Sequence, residues 1–264
     1  GLAAWTVDAN GNFRAQGLIA TTINGRPALS AGVFDAAVNG FVCYGQSWEV
    51  GETMSADGAA ISISQPYGAL MFNGGVRPRD AGGTVASQHT SLVPMVESTS
   101  GNKGESPAAG WAQMAAELVQ VEDRIAWDRT GFNWLGASAA GSNTRLDQLA
   151  DGTAPFQNMK DDIAYGYSLS QALGRSYVFR AFSWMQSVSD YSAGTAAPTW
   201  KAGVIALRTA VDTYAKSVTG QAEDVLCVMA QPGWAGNYEA TDYPWADLAM
   251  LELSEADPNF VLAC

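Results

Sequence analysis

From residue 40 onward, the sequence alternates short apolar runs with longer amphipathic stretches. This alternation is typical of parallel strands joined by helices, because a crossover is needed before the next strand can run in the same direction. The stretches between the apolar runs predict helices. The first helix begins at Ser106-Pro107, where a capping residue precedes a proline, and the others span about 155–173, 198–218 and 241–255. The apolar runs predict strands at 40–45, 133–137, 177–184, 224–230 and 260–263.

The pattern predicts two domains. Asn-Gly pairs at 10–11 and 24–25 lie between short apolar runs, which is typical of β-hairpins. We therefore expect a small β appendage over 1–38 and an α/β domain over 39–264. The α/β domain is expected to be a flavodoxin-like three-layer α/β/α sandwich around a central parallel sheet. The segment 46–105, with clusters of Gly, Ser, Thr and Pro, predicts no regular element and is expected to be a functional loop over the strand ends.

The charge balance narrows the class of partner. The chain has 264 residues, a formal net charge of −12 and a pI near 4.4. Nucleic acids and anionic membrane surfaces bind basic faces, so neither is expected as a partner. Neutral ligands, including carbohydrates, remain open. No apolar stretch approaches the length of a membrane span, and no targeting peptide is recognised.

Cysteine and acidic residues do not form a metal-binding pattern. The three cysteines have no metal-ligand spacing, and Cys43 and Cys227 lie inside apolar runs, where we expect buried thiols. The acidic pairs are interpreted as solvated helix faces. We predict no metal and no cofactor.

The candidate nucleophile is Ser47. An apolar strand runs directly into Gly45-Gln46-Ser47, and ligands of open α/β sheets bind outside the carboxyl ends of the strands. A lone Gly-x-Ser is weak evidence, and an ordinary turn is the alternative.

Two further turns follow predicted strands. The stretch around Gly141 is rich in small residues and could direct backbone N–H groups at an oxyanion, and Gln186 supplies a side-chain amide. Each segment alone also fits an ordinary turn, because turns collect Gly, Ser and Asn.

Together and in this order, the three segments resemble the SGNH (GDSL-like) hydrolases, in the carbohydrate O-acetylesterase branch related to sialate acetylesterases and some acetylxylan esterases. The resemblance extends over most of residues 40–264, including a Gly-Glu-x-Pro segment at 104–107 that is similar to phage-borne and bacterial members. It implies that Ser47 attacks an acetyl carbonyl. It also implies that the oxyanion is held by the N–H groups of Ser47 and Gly141 and by the Gln186 side chain, without a cofactor.

The sequence departs from the family pattern at the general base. Ser187-Val188 replaces a Gly-Glu pair, although Asp190 remains as a candidate acid or pocket residue. The family's Asp-x-x-His block is absent, and the only histidine is His89, in a polar stretch that suits a solvated loop. Three explanations stay open: a histidine on a second polypeptide or a removed segment, His89 itself, or a fold retained for binding without turnover.

The expected function is a serine esterase that removes O-acetyl groups from a carbohydrate. Trp48, beside the candidate nucleophile, is the expected substrate contact, while most other tryptophans are expected in the core. Gln46, Ser142 and Trp234 are expected to line the pocket. The alternative is a catalytically inactive carbohydrate-binding or virion tail module on the same fold.

Overall fold

The computed structural model describes residues 4–7, 13–16, 37–52, 62–64, 67–99, 103–123, 133–231 and 245–263. Contacts divide the chain into two units, Gly1–Asp35 and Ala36–Cys264. In the first unit, β1 (Ala4–Val7) pairs antiparallel with β2 (Phe13–Gln16). The two Asn-Gly turns lie outside the described residues, and the predicted domain boundary after residue 38 stays a prediction.

The described part of the second unit contains a seven-stranded sheet. Its strands are β3 (Val38–Gly45), β4 (Leu70–Phe72), β5 (Leu92–Pro94), β6 (Asn133–Ser138), β7 (Tyr177–Met185), β8 (Leu226–Met229) and β9 (Phe260–Leu262). The strand order is β5-β4-β6-β3-β7-β8-β9, and every neighbouring pair is parallel except the antiparallel pair of β4 and β5. The predicted α/β class is confirmed, with a mixed, mostly parallel sheet.

Helices connect the strands. They are α1 (Ser47–Val50), α2 (Val85–Gln88), α3 (Pro107–Asp123), α4 (Ala154–Ala172), α5 (Val188–Ala193), α6 (Ala197–Thr219) and α7 (Trp245–Ala256), with single 3₁₀ turns at Pro78–Ala81 and Leu146–Gln148. The helices predicted to begin at Ser106-Pro107 and to span about 155–173 and 198–218 match α3, α4 and α6, and α7 overlaps the fourth predicted helix. Local chemistry explains two of the ends. The Thr153 hydroxyl accepts the Phe156 N–H at the start of α4, and Gly220 adopts a left-handed conformation after α6.

Side chains of β3 alternate between two hydrophobic cores, one on each face of the sheet. Val42 and Tyr44 point into the core formed with α4, α6 and α7, whereas Phe41 and Cys43 point into the core formed with α3. This alternation follows from the two-residue repeat of a strand. Both faces of the sheet are therefore covered by helices, as a three-layer sandwich requires.

The prediction that 46–105 holds no regular element is wrong. The segment contains α1, α2 and the short strands β4 and β5, which extend the sheet by two strands. Each of these strands has three residues, which is too few to show a two-residue hydrophobic repeat.

The predicted burial of two thiols is confirmed. Cys43 and Cys227 are fully buried free thiols, while Cys264 lies outside the described residues. Trp134, Trp184 and Trp200 belong to the core, whereas Trp111 and Trp245 are partly buried against it. Among the helices described, none is long and apolar enough to cross a membrane.

Candidate functional site

The three predicted site segments follow three adjacent parallel strands. β3 lies between β6 and β7, and Cys43 is level with Ser138 on one side and with Ser183 on the other. The carboxyl ends of parallel strands meet at the same edge of a sheet. The turns that carry Ser47, Gly141 and Gln186 therefore lie side by side.

Hydrogen bonds join these three turns directly. The Gln46 N–H donates to the Met185 carbonyl at 3.1 Å, and the Gly141 N–H donates to the Gly45 carbonyl at 3.1 Å. The Gln46 side-chain oxygen accepts the Ser187 N–H at 3.4 Å. The structure thus brings together the turns at 45–47, 140–142 and 185–187.

Ser47 is half-buried and begins α1. The chain enters this helix through Gly45, whose φ is 153° and whose missing Cβ would lie 2.5 Å from the Met185 carbonyl oxygen. Only glycine fits this close approach of two backbones. Trp48, the expected substrate contact, is half-buried at the next position of the helix.

The Gln186 amide is occupied within the fold. Its nitrogen donates to the Thr144 carbonyl at 3.1 Å and to the Asp190 carboxylate, and its oxygen accepts the Trp200 indole N–H at 2.9 Å. The residue is fully buried. Because both amide hydrogens already have acceptors, Gln186 would have to exchange one of them to serve an oxyanion, and the same holds for the Gly141 N–H. Their oxyanion roles stay predictions.

Asp190 also binds groups of the fold. Its carboxylate accepts the Leu146 N–H at 2.8 Å and the Thr195 hydroxyl at 2.7 Å, in addition to the Gln186 amide. The side chain is buried and holds the turn after β6 against the turn after β7. In this geometry Asp190 has a structural role, because it accepts hydrogen bonds from backbone and side-chain donors of the fold.

The expectation that His89 is a solvated loop residue is wrong. Its side chain is fully buried, with Nδ1 2.7 Å from the Val85 carbonyl and Nε2 2.9 Å from Asp162 Oδ1. The ring packs between Phe72 and Tyr165. Both nitrogens are therefore engaged with oxygen acceptors, and reaching Ser47 would require His89 to leave this environment.

The remaining predicted pocket residues divide into two groups. Gln46 is buried at the strand end and binds the turn after β7, as described above. The Ser142 hydroxyl donates to Glu52, a side chain just after α1 that sequence reasoning missed. Trp234 lies outside the described residues.

Glu49 is a second residue that sequence reasoning missed, and it lies two positions after the candidate nucleophile in α1. Its carboxylate oxygen accepts the Ser183 hydroxyl at 2.9 Å, and its exposed fraction is 1%. Burial raises the pKa of Glu49 to about 8, while the bonds from Ser183 and Cys43 act in the opposite direction. Its position two residues after Ser47 is visible in the sequence, but its burial is not, because Glu is seldom buried without a charged partner.

A small cavity adjoins this edge of the sheet. This cavity of about 50 Å³ is lined by Val50, by residues 138–140 and by side chains that include Arg77, Arg79 and Lys103. These cations pair with Glu97, Asp162 and Asp80, respectively. The cavity has room for water molecules rather than for a sugar ring. No group of three or more His, Cys, Asp or Glu side chains in the described ranges could hold a metal ion.

Comparisons with known proteins identify the fold. No family model matches the sequence, and no curated protein matches it. Among solved structures, the crystal structure of NanS matches with a TM-score of 0.51 and 11% identity, over 85% of this chain and 76% of that chain. A protein from Arabidopsis thaliana matches with a TM-score of 0.48 and 14% identity, over 85% of this chain and 84% of that chain. The mostly parallel sheet with helices on both faces defines an α/β protein. The similarity to NanS shows that a solved structure shares this fold.

Proposed function

We propose that this chain supplies the nucleophile of a serine esterase that removes O-acetyl groups from a carbohydrate through an acyl-enzyme on Ser47. The observation that carries the proposal is the junction of three turns at the carboxyl ends of β6, β3 and β7, with Ser47 half-buried at its centre. The fold shared with NanS supports the proposal, as does the resemblance of the three turns to the SGNH hydrolases.

The proposed reaction has two steps. The Ser47 hydroxyl attacks the acetyl carbonyl while a base takes its proton. The bond between the acetyl carbon and the sugar oxygen then breaks, and the base returns the proton to that oxygen, so that the sugar leaves as an alcohol. Water then hydrolyses the acetyl-serine. The N–H groups of Ser47 and Gly141 and the Gln186 amide would stabilise the oxyanion, after the last two exchange their present acceptors.

We assign the general base of this reaction to a histidine other than His89. Both ring nitrogens of His89 are engaged, and this is the only histidine in the sequence. A positioned base contributes about 10²–10⁴-fold to such a reaction, so its source decides whether turnover is measurable. We therefore place this base on a second polypeptide or segment that completes the site.

The test uses protein isolated from its native source. Intact mass is measured before and after reaction with a fluorophosphonate, and acetate release is measured on O-acetylated polysaccharides. We expect an adduct on Ser47 and an additional polypeptide that carries histidine. In a recombinant assembly of both parts, Ser47→Ala should abolish labelling and acetate release. Ser217→Ala, at an exposed serine of α6, should leave both unchanged.

Two outcomes would overturn the esterase. A chain that never labels but binds carbohydrate would be a binding or tail module, the alternative use of this fold. Hydrolysis that survives Ser47→Ala would place the nucleophile elsewhere.

A further inference from the structure

Glu49 links the helix of the candidate nucleophile to the central strands. It is the third residue of α1, two positions after Ser47. Its carboxylate accepts the hydroxyl of Ser183 on β7, and its backbone carbonyl accepts the hydroxyl of Ser138 on β6 at 2.8 Å. The Cys43 thiol of β3 is also a hydrogen-bond partner of the carboxyl group. One glutamate thus connects α1 to three adjacent strands.

The bonds around the Glu49 carboxyl group come from neutral groups. Ser183 and Cys43 are its side-chain partners. A carboxylate buried without a cation carries a large desolvation cost, so the neutral acid is the favoured form. The protonated acid can also donate one hydrogen bond, which a carboxylate cannot do.

Among the described residues, Glu49 acts electrostatically on two thiols, Cys43 and Cys227, and Glu97 acts on the same Cys43 thiol. Burial raises the pKa of the Cys43 thiol on β3 and of the Cys227 thiol on β8 well above their usual value. Glu97 also has a raised pKa because of burial, but it is bound by the Ser106 hydroxyl and by Arg77. Arg77 itself donates to the Val50 carbonyl of α1 at 3.4 Å. Near pH 8, ionisation of Glu49 would therefore leave a buried charge that has no cationic partner among the residues that the structure describes.

We propose that Glu49 is the positioning residue of Ser47: it holds α1 on the sheet through its contacts with three strands, and its deprotonation leaves a buried charge whose desolvation cost displaces the helix and misplaces the nucleophile. This inference rests on the proposed function for its catalytic consequence. Its structural part, the coupling between the Glu49 carboxyl group and the Ser47 backbone, rests on the contacts of Glu49 with the strands and on the position of both residues in the four-residue helix α1. The esterase should therefore lose activity at alkaline pH, when Glu49 loses its proton.

The structural part is tested by NMR on this chain. The side-chain ¹³C resonance of Glu49 and the ¹H–¹⁵N resonance of Ser47 are followed from pH 5 to pH 10. We expect both to titrate together, with a midpoint near 8. In Glu49→Gln, which keeps the size and the acceptor for Ser183, the Ser47 resonance should no longer move. Glu255→Gln, at an exposed site of α7, is the matched control and should leave the Ser47 titration unchanged.

The catalytic part is tested on the assembled esterase by the pH profile of kcat/KM. The unsubstituted enzyme should lose activity through about pH 8, whereas Glu49→Gln should match it at pH 7 and retain activity at pH 9. Glu49→Ala should lower kcat at every pH, by up to about 10²-fold, because a displaced nucleophile costs that order of rate. KM should change little.

The outcomes separate the inference from the proposed function. A Glu49 carboxyl group that titrates near its ordinary value, or a Ser47 resonance that ignores it, would overturn the inference even if Ser47 is the nucleophile. Coupled titration without any esterase activity would overturn the proposed function while the positioning of Ser47 by Glu49 stands. A Glu49→Gln enzyme with the same alkaline loss as the unsubstituted enzyme would overturn the catalytic consequence.

Discussion

The region after β3 and the cluster around His89 each contain a buried carboxyl group, but the partners of the two carboxyl groups differ. His89 and Asp162 form a histidine–carboxylate pair at 2.9 Å, but both side chains are almost fully buried and Arg79 shares the same carboxylate oxygen. Ser47, in contrast, is half-buried at a strand end, and the acid behind it, Glu49, has neutral partners. A histidine–carboxylate pair therefore does not by itself indicate a functional site. The burial of His89 and Asp162, and the bond from Arg79 to the same oxygen, identify their pair as a structural contact.

The His89 cluster has a clear structural role. Asp162 belongs to α4, Arg79 to a 3₁₀ turn, and His89 follows α2. The Arg79 guanidinium also donates to the Asn158 carbonyl at 2.6 Å. These contacts fasten the segment between β4 and β5 onto α4. They place the only histidine of the sequence under α4, in contact with aromatic rings.

The largest expected effect comes from breaking this cluster. Asp162→Ala leaves Arg79 and His89 without their shared acceptor, and removing one partner of a buried charged pair costs about 3–5 kcal/mol. Chemical denaturation followed by circular dichroism measures this loss. Asp161→Ala is the matched control, because Asp161 is partly exposed and lies 3.9 Å from Arg79. An exposed pair contributes about 0–1 kcal/mol, so equal losses in the two variants would contradict the comparison.

A smaller effect is expected from the turn after β3. Gly45→Ala introduces a Cβ 2.5 Å from the Met185 carbonyl oxygen at a positive φ, and such strain costs about 1–3 kcal/mol. The backbone shift should also change the Ser47 amide resonance. Gly110→Ala on α3 meets no neighbouring atom and should stabilise the helix by about 0.5–1 kcal/mol. If Gly45→Ala were as stable as the unsubstituted chain, the close approach of β3 and β7 would be wrong.

The smallest expected effect concerns the acid beneath Ser47. Between about pH 4.5 and 8 the folded chain keeps the Glu49 proton that the unfolded chain has lost, so this residue makes stability fall as pH rises. Ser183→Ala removes a hydrogen bond that favours the charged form, worth about 0.5–1.5 kcal/mol, and so raises the pKa of Glu49. The decline in stability should then continue to a higher pH, as measured by melting temperature. Ser217→Ala at an exposed serine of α6 is the control, and an identical shift in both variants would contradict the assignment.

The long strands could be predicted from the sequence, because β3, β6 and β7 are mostly apolar runs that are largely buried on both faces. The convergence of their turns followed from that topology. The partners of the polar side chains could not be predicted. The bond between Trp200 and Gln186 joins α6 to the turn after β7, and the burial of His89 depends on α4, so both are set by tertiary packing.

The β5 edge of the sheet bears on how copies of this chain can associate. β5 ends the strand order, is three residues long and runs antiparallel to β4. Pro94 within it has no N–H group, so the strand offers fewer donors to an incoming strand. Short, proline-containing edges resist edge-to-edge pairing and the aggregation that follows from it. The β5 edge is therefore poorly suited to pairing with a strand of another chain, and β9 at the opposite end of the strand order is the better-suited edge.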